Sequence, residues 1–158
     1  LKQIGISSEN VSAVSNLANY IKRLKLKDPL VVSPDQGGTE RAKKFAHVLK
    51  TDFIALKKNR DRKTGRINIV TAKVSVKDRD LILVDDMIST GGSIIKATQF
   101  LKKQKCRRVY VACTHGLFVN GAEKKIKQAG VTQIISTNTI PSNSSKVDVS
   151  KILAESLL

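Results

Sequence analysis

The stretch LILVDDMISTGGSI, residues 81–94, indicates the fold most strongly. Its four leading apolar residues are typical of a strand that is buried on both faces, and Asp85 and Asp86 follow them directly. Hydroxyl-bearing residues and two glycines come next, and then a pattern that predicts a helix to about Gln104. A buried strand that turns through glycines into a helix is the repeating unit of α/β folds.

The segments on either side of this stretch repeat the alternation. Short apolar runs predict strands at residues 30–33, 52–56, 108–114 and 132–137. Helical spacing of apolar residues predicts helices over residues 8–25, 42–49, 121–129 and 149–157. Polar residues 57–66 predict a mobile loop, residues 67–76 a strand pair or an edge strand, and PSNSS (141–145) a plain loop. We therefore expect an α/β fold with a mostly parallel, twisted sheet flanked by helices.

The composition is that of a globular chain with an unusual charge. The 158 residues are 41% hydrophobic and 27% charged, which suits one domain, and no apolar run approaches the roughly 20 residues of a membrane span. Lys and Arg number 29 against 13 Asp and Glu, a formal net charge of +16, which favours anionic ligands. Aromatic residues are only 4%, which disfavours a surface that stacks nucleic-acid bases.

The loop after the central strand combines two chemistries. Free backbone N–H groups at a helix start, with the hydroxyls of Ser89, Thr90 and Ser93, can cradle a phosphate, and Gly91 and Gly92 let the backbone approach it. The two neighbouring carboxylates fit this cradle if they accept hydrogen bonds from sugar hydroxyls or hold Mg²⁺. An ordinary strand–turn–helix would explain the glycines but not the paired acids. The pattern predicts a sugar phosphate as ligand.

Two further segments carry candidate functional residues. The first is SPDQGGTERAK, residues 33–43, in which Asp35 follows a predicted strand and Gly37 and Gly38 precede a helix. This pattern predicts a small anion pocket with one carboxylate for a metal. A simple capped turn is the alternative. The basic run KKNR, residues 57–60, can be an ordinary solvated loop, or it can deliver cations over a site where phosphoryl charge develops.

Taken together, these segments resemble type I phosphoribosyltransferases and, in particular, ribose-phosphate diphosphokinase. Residues 81–94 look like the phosphoribosyl-diphosphate-binding motif, VVSPDQGGTERAKKFA (31–46) is similar to the pyrophosphate-binding loop, and KKNR lies where the family has its catalytic flexible loop. VACTHGLF, ISTNTIP and VDVSKILAESL match later segments. The resemblance covers nearly the whole chain and implies a type I phosphoribosyltransferase-like fold.

The resemblance also implies a role for each candidate residue. Lys58 and Arg60 match a Lys-x-Arg of the family and would be catalytic, with Lys57 and Arg62 as an alternative register. Asp35 would coordinate Mg²⁺, the cofactor. The pyrophosphate of ATP would contact Gln36, Gly37, Gly38 and Thr39. Ribose 5-phosphate would contact Asp85, Asp86, Ser89, Thr90, Gly91, Gly92 and Ser93. Ser89 stands where many family members carry an acid, which removes one acceptor from the loop.

The implied reaction transfers the β,γ-pyrophosphoryl group of ATP to the C1 hydroxyl of ribose 5-phosphate. Residues 1–158 would then be a single phosphoribosyltransferase-like domain, the carboxyl-terminal half of a cytoplasmic homo-oligomeric enzyme whose N-terminal domain is absent from this chain. We expect no membrane or nucleic-acid partner. The alternatives are a type I phosphoribosyltransferase, a non-catalytic regulatory relative and a nucleic-acid binder.

The histidines and cysteines leave more open. His47 lies off the apolar face of its predicted helix, which predicts a surface position, whereas His115 is either a pocket residue or a loop-packing one. Cys106 and Cys113 lack metal-ligand and CxxC spacing, so two reduced thiols are favoured over a disulfide.

Overall fold

A computed structural model describes residues 10–60, 67–70 and 74–157. Within these residues the chain forms eight strands and five α-helices. The strands are β1 Leu30–Ser33, β2 Phe53–Ala55, β3 Lys57–Arg60, β4 Ile67–Val70, β5 Asp80–Ile88, β6 Arg108–Gly116, β7 Gln133–Thr137 and β8 Ser145–Val147. The helices are α1 Val14–Lys22, α2 Thr39–Leu49, α3 Gly92–Lys103, α4 Ala122–Gln128 and α5 Ser150–Glu155.

Six of these strands form one parallel sheet in the order β2-β1-β5-β6-β7-β8. Strand β5 lies inside this sheet, with β1 on one side and β6 on the other. Because all strands run in one direction, their carboxyl ends meet at one edge, where ligands of open α/β sheets bind. The prediction of a parallel α/β sheet is confirmed.

Strand β5 shows why its apolar run is continuous. Leu81 and Leu83 pack into a cluster that includes residues of α3 and α4, whereas Ile82 and Val84 pack into a second cluster with residues of α1 and α2. Side chains alternate between the two faces of a strand, and here both faces are covered by helices. The two cores therefore hold β5 from both sides and fix the position of its carboxyl end.

Several predicted boundaries were wrong. Helix α1 begins at Val14 rather than at residue 8, since residues 10–12 are irregular and Ser12 Oγ accepts a 3.4 Å hydrogen bond from Val14 N. The central strand does not end at Val84 but continues to Ile88, because residues 85–88 keep pairing with β6. Ser145, the last residue of the predicted 141–145 loop, opens β8 by pairing with Ser136.

The predicted mobile loop over residues 57–66 was wrong for its first four residues. Residues 57–60 form β3, which pairs antiparallel with β4, and Lys58 lies opposite Ile69. Backbone hydrogen bonds make this pair, so the charged composition of KKNR does not prevent it. Residues 61–66 lie outside the described part of the chain.

The remaining predictions concern single residues and membrane spans. His47 is exposed, as predicted, and Cys106 and Cys113 are buried free thiols. In the tail helix, Val149 is buried and Ile152 packs against the core, whereas Leu153 and Leu157 are exposed. No helix in the described part of the chain has the length and apolar character to cross a membrane.

Candidate functional site

The turn between β5 and α3 forms a cavity of about 140 Å³ at the carboxyl edge of the sheet. Its wall contains one of the two paired acids, Asp85, and all five predicted loop residues: Ser89, Thr90, Gly91, Gly92 and Ser93. The structure therefore brings an acidic group and the glycine-rich turn together, as a sugar phosphate would require.

Gly91 makes this turn possible. It has φ of 74°, in the left-handed region, and an added Cβ would lie 2.8 Å from Cδ1 of Ile126. Gly91 is buried, whereas Ser89, Thr90, Gly92 and Ser93 are exposed around it. Because the first N–H groups of a helix have no partner within that helix, the start of α3 presents donors to an anion.

Asp85 and Asp86 differ in their surroundings although they are adjacent. Asp85 lines the 140 Å³ cavity, whereas Asp86 lines a separate cavity of about 370 Å³ that also borders α1, α2 and His115. Successive residues of a strand project to opposite faces, which explains the separation. The backbone N–H of Asp86 donates to Oδ1 of Asp85 at 2.9 Å, and the N–H of Met87 donates to Oδ1 of Asp86 at 2.8 Å.

The two carboxyl groups also differ in acidity. Burial, followed by the interaction with the Asp86 side chain, raises the pKa of Asp85 from 3.8 to about 6. Burial also acts on Asp86, but hydrogen bonds with Asp85 and Met87 and the charge of Arg41 outweigh it and lower the pKa of Asp86. Two close carboxylates commonly separate in this way, since they resist being ionised together.

Arg41 is a site residue that the sequence reasoning missed. It lies in the first turns of α2, and its Nη1 lies 3.2 Å from Oδ1 of Asp85 while its Nη2 lies 2.8 Å from Oδ2 of Asp86. One signal was available: Arg41 follows the predicted anion turn by two residues, at the sheet edge where the acids also lie. What the sequence could not show is that α2 faces β5 closely enough for this contact.

The predicted pyrophosphate turn follows β1 at the same edge. Asp35 caps a short 3-10 turn, since its Oδ1 accepts from the N–H of Gly38 at 3.3 Å. Thr39 Oγ1 donates to the carbonyl of Gln36 at 2.6 Å, and the amide of Gln36 donates to the carbonyl of Ala55 at 3.4 Å. Gln36 and Gly37 are exposed, whereas Gly38 is buried. These contacts fix the shape of the turn beside β5.

A single carboxylate can be sufficient for the implied metal ion. The described residues contain no cluster of three or more His, Cys, Asp or Glu side chains. Mg²⁺ usually keeps several waters and binds one or two carboxylates together with substrate phosphates. Asp35, at the mouth of a glycine turn, fits that mode of binding, in which substrate supplies the other ligands.

For Lys58 and Arg60 the structure describes the backbone. Both lie in β3, and a single residue separates β3 from the end of β2. The N–H of Leu56, the residue between these strands, donates to the carbonyl of Ser33 at 3.0 Å. The hairpin of β3 and β4 therefore begins at the same edge of the sheet as the turn at Asp35.

For His115 the sequence left two alternatives open, a pocket residue or a loop-packing one, and the structure has features of both. It is partly buried beside the 370 Å³ cavity, and its Nδ1 lies 2.9 Å from Oγ1 of Thr139. Thr139 in turn donates to the carbonyl of Thr114 at 3.0 Å. The side chain both lines a cavity and packs against the loop after β7.

Comparisons with known proteins identify the family of the chain. A family model described as the phosphoribosyl transferase domain matches residues 2–152. A curated protein from Sulfurisphaera tokodaii named ribose-phosphate pyrophosphokinase is 39% identical over 99% of this chain and 55% of its own length. The names of such relatives confirm the resemblance to ribose-phosphate diphosphokinase. The chain spans about half the length of the curated relatives it matches.

Solved structures agree at the level of the fold. A phosphoribosylpyrophosphate synthetase from Mycobacterium smegmatis is 30% identical with a TM-score of 0.78, covering 92% of this chain and 49% of that chain. An adenine phosphoribosyl transferase from Trypanosoma brucei shares the fold at 16% identity and a TM-score of 0.63, covering 92% and 76%. Since the family model matches nearly the whole chain, the chain belongs to the phosphoribosyl transferase domain family.

Proposed function

We propose that this chain is the ribose 5-phosphate-binding half of a ribose-phosphate diphosphokinase. The observation that carries the proposal is the shared cavity of Asp85 and the turn at residues 89–93. The turn would hold the 5-phosphate through backbone N–H groups and hydroxyls, and Asp85 with Asp86 would accept hydrogen bonds from ribose hydroxyls. The names of the curated relatives support the choice of this enzyme over other members of the family.

The proposed reaction joins the C1 oxygen of ribose 5-phosphate to the β-phosphorus of ATP. The bond between that phosphorus and the oxygen bridging it to the α-phosphate breaks, AMP leaves, and the C1 hydroxyl loses its proton. The products are phosphoribosyl diphosphate and AMP. Positioning and electrostatic stabilisation do most of the work in transfers of this kind.

The chain's own residues would divide this work by position. Gln36, Gly37, Gly38 and Thr39 would contact the ATP phosphates, and Asp35 would hold Mg²⁺ beside them. Bound there, Mg²⁺ would neutralise charge on the transferred oxygens. Lys58 and Arg60, on the hairpin that begins at this edge, would stabilise charge that develops on the β-phosphate.

The proposal extends beyond this chain. In the complete enzyme an N-terminal domain would supply the rest of the ATP site, and the assembly would be a cytoplasmic homo-oligomer. This chain alone would then bind ribose 5-phosphate without turning it over. Full turnover by the isolated chain with ATP would contradict that division.

The first experiment is a calorimetric titration of the chain with ribose 5-phosphate, with ribose and inorganic phosphate as separate probes. We expect ribose 5-phosphate to bind more tightly than either part, because the acids and the turn would hold different ends of it. Absence of heat with ribose 5-phosphate would refute the proposal. Binding of phosphate and ribose 5-phosphate with equal affinity would also count against it.

A second experiment separates the diphosphokinase from a type I phosphoribosyltransferase in the complete enzyme. The diphosphokinase forms AMP from ATP and ribose 5-phosphate, whereas a phosphoribosyltransferase supplied with phosphoribosyl diphosphate releases pyrophosphate only when a base is added. Lys58→Ala should abolish AMP formation and preserve affinity for ribose 5-phosphate, with Lys77→Ala, at an exposed lysine outside both registers, as its control. Unchanged turnover in Lys58→Ala would refute the role of that lysine.

A further inference from the structure

Arg41 connects the two acids that the strand separates. Asp85 and Asp86 project towards different cavities, yet one guanidinium lies 3.2 Å from the first carboxylate and 2.8 Å from the second. The two terminal nitrogens of an arginine form a rigid planar fork. Both carboxylates are therefore held close to the same guanidinium near the carboxyl end of β5.

Docking of α2 does not depend on this contact. Ala42, Phe45 and Ala46 of the helix are at most 3% exposed and belong to the apolar cluster on that face of the sheet. The Arg41 side chain is 24% exposed and extends past that cluster to the sheet edge. A role at the site accounts for the position of its charge better than a role in packing.

The path of the Arg41 side chain depends on the neighbouring turn. A Cβ added at Gly38 would lie 2.4 Å from Oγ of Ser33 and 3.2 Å from Nη1 of Arg41. Because Gly38 has no Cβ, the turn that begins at Asp35 leaves room for the guanidinium of Arg41. Arg41 therefore lies between this turn and the two acids of β5.

The contacts leave the acids able to bind more donors. Arg41 and the Asp86 N–H both reach Oδ1 of Asp85, whereas Arg41 and the Met87 N–H reach different oxygens of Asp86. A carboxylate has about four acceptor positions. The positive charge also reduces the repulsion between the two acids, so both can be ionised while they face a sugar.

We propose that Arg41 is a positioning residue that holds Asp85 and Asp86 together as one acceptor pair for ribose hydroxyls. This inference rests on the proposed function, since it assumes that the acids bind the sugar. The competing arrangement is a latch, in which the guanidinium occupies the acids and must leave before the sugar binds. The two arrangements predict opposite effects of removing Arg41.

The test compares ribose 5-phosphate with 2-deoxyribose 5-phosphate, which lacks one of the hydroxyls. Calorimetry is performed on this chain and on its Arg41→Ala, Arg41→Lys and Lys43→Ala variants. Lys43→Ala is a matched control because it removes an exposed cation from the same helix at a residue that lines neither cavity of the site. For Arg41→Ala we expect affinity for ribose 5-phosphate to fall about tenfold or more, because hydrogen bonds between charged groups are lost.

The ratio of the two affinities is the decisive measurement. The unaltered chain should prefer ribose 5-phosphate, and Arg41→Ala should lose most of that preference, since the phosphate turn is untouched. Arg41→Lys should recover part of it, because lysine restores the charge but not the fork. Should Arg41→Ala fail to fold, the partial loss in Arg41→Lys carries the same information.

Different failures identify different errors. If the unaltered chain does not bind ribose 5-phosphate, the proposed function is wrong. If it binds and Arg41→Ala keeps the same ratio, or binds more tightly, the positioning role is wrong. A loss of equal size in Lys43→Ala would also overturn the inference, because the effect would then be one of general charge.

Discussion

Strand β5 carries aspartates at both of its ends, and their surroundings are opposite. Asp80, at the amino end, is fully buried. It accepts hydrogen bonds from the Lys27 N–H at 2.8 Å, from Arg107 at 2.9 Å and from Arg108 at 3.2 and 3.1 Å. At the carboxyl end, Asp85 and Asp86 share one guanidinium and line open cavities.

The difference separates the structural role of Asp80 from the proposed binding role of Asp85 and Asp86 within one strand. Around Asp80 two guanidinium groups and a backbone N–H surround a single carboxylate, so little acceptor capacity remains for a ligand. At the other end a single arginine serves two carboxylates, and acceptor capacity remains directed at the cavities. The edge where we propose that the ligand binds is the one where the acids outnumber the arginines that pair with them.

Asp80→Asn should break the structural end. The amide cannot accept as many hydrogen bonds, and two arginines lose their counter-charge, so we expect the free energy of unfolding to fall by about 3 kcal/mol. Urea denaturation measures it. Asp78→Asn, at an exposed aspartate nearby, should change stability by less than about 0.5 kcal/mol. Equal effects of the two variants would show that the Asp80 network contributes nothing.

Asp85→Asn should have the opposite effect on stability. The pKa of Asp85 is about 6 in the folded chain against an ordinary 3.8, so the folded state binds the extra proton and loses stability as pH rises through this interval. The amide avoids that loss. Relative to the unaltered chain, we expect the variant to gain about 2 kcal/mol between pH 4 and pH 7. Urea denaturation at both pH values should show no such gain for Asp78→Asn.

Gly91→Ala tests the turn that forms the proposed phosphate cradle after the acids. Alanine there would have to adopt a positive φ, and its Cβ would lie too close to Ile126. We therefore expect the free energy of unfolding to fall by about 1.5 kcal/mol. Gly92→Ala is the matched control, because the nearest atom to its added Cβ, Oγ1 of Thr90, lies 3.9 Å away. Alanine in the first turn of α3 should be neutral or stabilising there. A lower melting temperature for Gly92→Ala than for Gly91→Ala in thermal denaturation would contradict this account of the turn.

The affinity for ribose 5-phosphate should depend on pH in the way Asp85 titrates. A protonated Asp85 loses acceptor capacity, so affinity should fall by about tenfold from pH 8 to pH 5. Calorimetry across this range measures it. The 5-phosphate itself titrates near pH 6. Asp85→Asn therefore serves as the reference: it should retain the contribution of the phosphate and lose that of the carboxyl. Identical profiles for the two chains would exclude Asp85 from the sugar contact.

Local patterns predicted most of the sheet and the turn at residues 89–93. Strand β1 was predicted with its observed limits, and the turn residues line one cavity with Asp85. Strands β3 and β8 were not predicted, because each forms by pairing with a partner that its own composition does not indicate. Propensity of a strand depends strongly on its neighbours, and charged or serine-rich segments carry a weak signal.

The site shows the same division. The paired acids, the glycine turns and the basic segment can be read along the chain, since their chemistry is a property of adjacent residues. Arg41 could not be read in this way, because its contact with Asp85 spans 44 positions and depends on how α2 lies against the sheet. The pKa difference between Asp85 and Asp86 likewise follows from burial and partners rather than from residue type.

The sequence by itself therefore determined the alternation of the main strands and helices, the α/β class and the chemical groups at the carboxyl edge of β5. Those features depend on periodicity and on short-range turns, which neighbouring residues control. The tertiary structure alone decided that one arginine joins two acids facing different cavities, and that Asp80 pairs with two arginines whereas Asp85 and Asp86 share one. Long-range packing sets these distances and the local dielectric environment, and no local pattern encodes either.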